Sequence, residues 1–149
     1  MRKFIIFLFL IGFLFISCTP SDPLKKGNAE EILRDVLNQF QMTDGTVYSR
    51  GLTAENPLTD SLLARMFPER GDTEDLCYVR SAAVYFSKRF SDEEILIFEL
   101  HDISGREKIV ALFQKRANKK ENAVVLSDGV YVYLICTKQN EEIKRYLKS

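Results

Sequence analysis

The sequence predicts an α+β domain in which a four-stranded sheet, antiparallel or mixed, carries helices mainly on one face. Three observations lead there. Apolar residues recur at helical spacing in two early segments. From Cys77 onward, β-branched and aromatic residues gather into short runs. Asp128-Gly129 then divides the last two runs in the manner of a tight hairpin. The expected element order is α-α-β-β-α-β-β-α.

Asn28-Ala-Glu-Glu opens the first helix, with Asn28 placed to cap and Glu31 placed to answer it from the third helical position. Ile32, Leu33, Val36, Leu37 and Phe40 mark one face, and the helix stops before Thr43-Asp44-Gly45. Thr46 to Leu52 reads as a short extended piece. Asn56-Pro57 is expected to start the second helix, with Pro tolerated at the first position, and Pro68 to end it. CYVRSAAVYF and EILIFELH, Glu94 to His101, are the first two strands, joined by SKRFSDE as a hairpin. Asp102 then caps a helix with Ile109, Val110, Leu112 and Phe113 inward, ending in the cationic KRANKK. AVVLSDGVYVYLIC supplies the last hairpin, and Asn140 to Leu147 a final helix that packs Ile143, Tyr146 and Leu147.

Because side chains alternate across a strand, Leu96, Phe98 and Leu100 share one face with Val130, Val132, Leu134 and Cys136. The opposite face carries Ile95, Ile97, Glu99, Tyr131 and Tyr133. With helices on the purely apolar side, this second face is expected to be an exposed partner-binding surface. The alternative is that a helix such as Asn28 to Phe40 covers it too.

The N-terminus has three zones: Arg2 and Lys3, an apolar run from Phe4 to Ile16, and then Ser17-Cys18. The run is too short to cross about 30 Å of hydrocarbon, which takes about 20 residues, and a short core behind a basic start is the pattern of a secretory signal. Phe15-Ile16-Ser17-Cys18 resembles the lipobox of bacterial lipoprotein precursors. That resemblance implies lipidation of Cys18, removal of residues 1–17, and a place on the outer face of the cytoplasmic membrane of a bacterium. Residues 18–28, with two prolines, a glycine and two lysines, read as a flexible tether, and 29–149 as a single globular domain. Two acyl chains hold a protein to a bilayer where one does so only marginally.

DEEILIF, Asp92 to Phe98, and GVYV, Gly129 to Val132, resemble two short strand motifs of a family of Gram-positive lipoproteins catalogued as domain of unknown function 4358. The resemblance covers about Glu30 to Leu147. It implies a lipid-anchored domain and supplies no activity.

Charge and chemistry narrow the function. The 149-residue chain is formally neutral, so removing the first 17 residues, Arg2 and Lys3 among them, leaves a formal charge of −2. Nucleic acid, which calls for a basic footprint, is therefore not an expected partner. His101 is the one histidine and stands beside Asp102, yet Asp102 is better used as a cap, so no catalytic residue is assigned. One histidine and two separated cysteines do not form a metal site, and the sparse glycines form no phosphate loop, so neither metal nor cofactor is expected. Cys77 and Cys136, both in apolar β-rich runs, are expected to be buried and unpaired, with a disulfide as the alternative. The basic stretch Lys115 to Glu121 either complements a helix dipole or meets anionic headgroups and wall polymers. The expected function is a lipid-anchored binding or accessory module of the cell envelope. The alternatives are a small envelope enzyme using Glu99 with His101 or Asp102, and a structural subunit of an envelope assembly.

Overall fold

Asn28 caps the first helix as its local chemistry dictates. Its side chain accepts from Glu31 N–H while the Glu31 carboxylate accepts from Asn28 N–H, and α1 runs over Ala29–Gln39. The computed structural model describes residues 27–50, 54–69, 71–88 and 92–149. The expected signal, Cys18 and all but the end of the tether lie outside the described residues. After α1 come β1 (Gly45–Ser49), α2 (Asp60–Met66), a 3-10 turn (Glu74–Tyr78), β2 (Val79–Ser87) and β3 (Glu94–Leu100). A second 3-10 turn (Ile103–Gly105) leads into α3 (Arg106–Ala117), followed by β4 (Val124–Asp128), β5 (Tyr131–Cys136) and α4 (Asn140–Lys148).

The domain is α+β with one antiparallel sheet, but the sheet has five strands in the order β1-β2-β3-β5-β4. The extra strand is β1, from the segment read only as an extended piece, and it pairs along β2 from Gly45 opposite Ser87 to Ser49 opposite Ala83. Gly45 is required at its start, because a Cβ there would come within 2.0 Å of the Tyr85 ring. The second helix begins later than Asn56-Pro57. Thr59 caps it by accepting from Leu62 N–H, while the Asn56 amide is used instead on Val47 O. Asp102 caps the short turn before α3 rather than α3 itself.

Helices cover both faces of the sheet, which corrects the one-sided arrangement. On one side, Leu63, Met66 and Phe67 from the α2 region and Ile109, Leu112 and Phe113 from α3 pack on Leu96, Phe98, Leu100, Val132 and Leu134. Phe98 meets Phe113 edge-on at 4.8 Å, and Phe67 stacks on Phe113 at 6.1 Å. On the other, Ile32, Leu33, Val36 and Leu37 of α1 and Ile143 and Leu147 of α4 pack on Ala83, Tyr85, Ile95, Ile97, Tyr133 and Ile135. The strand alternation is as expected, and both halves of it are interior. An apolar stripe on α1 must be buried somewhere, and the sheet face lacking α2 and α3 is where it goes. None of the helices among the described residues is long and apolar enough to cross a membrane.

Candidate functional site

The five residues expected to form an exposed face share one side of the sheet, but they do not form a free surface. Ile95 and Ile97 are fully buried, Tyr133 is 4% exposed and Glu99 9%, and only Tyr131 remains half-buried. The docking face at Ile95, Ile97, Glu99, Tyr131 and Tyr133 is therefore corrected to core. α1 removes it from solvent together with α4: the stripe from Ile32 to Leu37 and the α4 residues Ile143 and Leu147 pack on this side of the sheet.

What these residues build is the junction where the N-terminal segment reaches the domain. Tyr131 Oη donates to Gly27 O at 2.8 Å. Ala29 N–H donates to Ser81 Oγ at 3.0 Å, and Ser81 Oγ–H donates in turn to Glu99 at 2.6 Å. Arg80, mostly solvent-exposed, adds a charge 3.6 Å from the same carboxylate. Glu99 is tolerated in an apolar strand because its charge is relayed through Ser81 to the electropositive start of α1. At the next residue, Glu30 accepts from Ser49 Oγ at 2.5 Å and pairs with Arg34, and the Ser49 bond holds its carboxyl below the usual range. Burial, with the nearby Glu99 charge, raises the Tyr131 phenol. The arrangement fixes the start of α1 against β2, β3 and β5.

The other candidate groups are dispersed. His101 is exposed, and Asp102 accepts from Ser104 N–H at 2.7 Å, a residue whose hydrogen bonds hold its carboxyl low. Neither His101 nor Asp102 is bonded to Glu99. Cys136 is buried, donates to Glu121 O, and has its thiol raised by burial. Cys77 is free as well but exposed, a second correction: the β-rich run turns through the 3-10 segment before β2 starts at Val79. It lines an open groove of about 500 Å³ with Arg50, Asp60, Leu63, Ala64, Thr73 and Leu76, across which Arg50 pairs with Asp60 at 2.7 Å. Among the described residues, no three His, Cys, Asp or Glu side chains are grouped to hold a metal.

In the basic stretch at the end of α3, Arg116 and Lys120 are turned inward while Lys115 and Lys119 stay exposed. Arg116 donates from Nε and Nη2 to both oxygens of Glu94 at 2.8 and 2.7 Å and from Nη1 to Met66 O, between the rings of Phe67 and Phe86. Glu94 is 1% exposed, and Lys120 lies 3.4 Å from it. Lys115 pairs with buried Asp72, and Lys115 and Lys119 both reach Glu69. Sequence reasoning missed the Glu94–Arg116 pair. The one available signal was an arginine at 3.6-residue spacing with the core positions Ile109, Leu112 and Phe113.

No known protein family, no curated protein and no solved structure matches this chain.

Proposed function

We propose that this chain is a lipid-anchored, extracytoplasmic binding or accessory module of the cell envelope, held on the membrane through acylated Cys18 and acting without catalysis. The observation that carries this reading is the N-terminal sequence: a basic start, an apolar run from Phe4 to Ile16 and Ser17-Cys18 at its end. The Gly27–Tyr131 bond adds a length argument. The chain is tied to the sheet nine positions after Cys18, so the anchor keeps the domain within about 30 Å of the bilayer at full extension. Binding is favoured over the enzyme alternative because Glu99, the acid that alternative uses, is occupied with Ser81 and Arg80 in holding α1. The test is metabolic labelling with a fatty acid. Wild type takes up label and sediments with membranes, whereas Cys18→Ala takes up none. Equal labelling of the two chains contradicts the anchor.

A further inference from the structure

The two edges of the sheet differ. β1 has outward groups engaged at Val47 and Ser49: Ser49 N–H donates to Asn56 O, Leu58 N–H donates to Ser49 O, and the Asn56 side chain donates to Val47 O. β4 has no such cover. Leu100 N–H donates to Val130 O at 2.8 Å, so even-numbered residues of β5 direct their backbone groups at β3 and odd-numbered ones at β4. In the β4–β5 register Tyr131, Tyr133 and Ile135 stand opposite Asp128, Leu126 and Val124. Val125 and Ser127 therefore point their N–H and C=O groups away from the sheet. Among the described residues no hydrogen bond reaches those groups.

Natural edge strands are usually blunted with lysine, proline, a bulge or a covering loop, because an open edge is a template for another strand. β4 reads Val-Val-Leu-Ser-Asp and has none of these guards. Half-exposed apolar side chains flank it on both faces. Val125 lies with Val110, Ala123 and Val130 on one, and Leu126 with Tyr131 on the other.

We propose that β4 is a homotypic interface, pairing antiparallel with β4 of a second copy to join two five-stranded sheets. The strand is self-complementary under a two-fold axis through Leu126. That axis sets Val125 opposite Ser127 of the second copy, and Ser127 opposite its Val125. These are the residues whose backbone groups point outward, so both pairs close with four hydrogen bonds in all. The axis also brings the two Leu126 side chains together and sets each Asp128 opposite a Val124, so the only charges on the strands stay at opposite ends. A second copy satisfies the outward groups and covers the flanking valines with the chain's own matching surface.

The test uses the full chain in its own membranes, with Cys77→Ser as parent to remove the exposed thiol. Leu126→Cys faces itself across the axis in a non-hydrogen-bonded pair, with Cα atoms about 4.5 Å apart, within the range a disulfide spans. Mild oxidation should convert most of it to a covalent dimer of twice the chain mass. Thr46→Cys on β1 should give no more than the parent's background. In detergent, sedimentation should show a dimer that Ser127→Pro converts to a monomer with an unaltered circular-dichroism spectrum, because the N–H this proline removes points outward. Three results overturn the proposal: no dimer from Leu126→Cys above the parent, an adduct of another mass that places a different protein on the edge, or a dimer that survives Ser127→Pro.

Discussion

Removing Arg116 tests the buried charge pair most directly. Glu94 is 1% exposed and receives two short bonds from one guanidinium, so it has no route to water when that partner goes. Breaking a buried pair from one side costs about 3–5 kcal/mol, since an uncompensated charge stays in the interior. Lys120 remains 3.4 Å away and compensates in part, which puts Arg116→Met near the lower end, about 3 kcal/mol. An unfolding entropy of about 2.1 cal/mol/K per residue over about 120 residues turns this into a loss of about 12 °C in Tm. A thermal melt followed by circular dichroism reads it. The double variant Glu94→Leu with Arg116→Met should recover most of the loss, because apolar replacement of both partners is often neutral or better. A drop below about 3 °C for Arg116→Met, within surface-substitution range, or a double variant that melts no higher than the single, refutes the buried-charge reasoning.

Three further outcomes follow from the packing. In the Cys18→Ala chain, a thiol reagent should modify Cys77 at once and Cys136 only after denaturation, and simultaneous reaction of both would contradict their placement. Gly129 has φ of +53°, so Gly129→Val should lower stability by about 1 kcal/mol or more, and unchanged melting would mean the hairpin does not need that conformation. Burial raises the Tyr133 phenol above its ordinary value of 10.0, so above that pH the unfolded chain loses its proton first. Stability is therefore fully present below pH 10 and falls as pH rises further. Tyr133→Phe should flatten that fall, and an unaltered slope would place the effect elsewhere.

The elements legible in the sequence are those whose causes are local. The Asn28–Glu31 box and the stripe from Ile32 to Leu37 define α1 within one segment, and Asp128-Gly129 defines its hairpin. The division of β3 and β5 into two faces follows from alternation alone. The fifth strand was not legible, because half-buried Gly45 to Tyr48 carry no strong pattern and become a strand only through the register with β2. The start of α2 was misplaced for a similar reason. Pro57 suits a first helical position, but Asn56 and Pro57 are held against β1 before Thr59 caps the helix. The candidate face failed one step later. Alternation says which side chains lie together, but whether they meet solvent depends on where α1 is carried. Glu94 and Arg116, 22 positions apart, read as ordinary charges at element ends, and only the fold reveals their desolvation.

The first and last helices seal the same face of the sheet. Phe40 meets Tyr146 edge-on at 5.5 Å, and Tyr146 Oη donates to Asp35 across 111 positions. That arrangement has a kinetic consequence. A chain made from its N-terminus offers α1 a place on β2 and β3 early, but Tyr133 and Ile135 have no lid until the final residues arrive. One side of the sheet can therefore mature while the other waits, and loop-closure entropy makes the late contact the slow one. Pulse-labelled amides should gain protection in β2 and β3 before α4, and a chain ending at Gln139 should remain open on that side and prone to self-association.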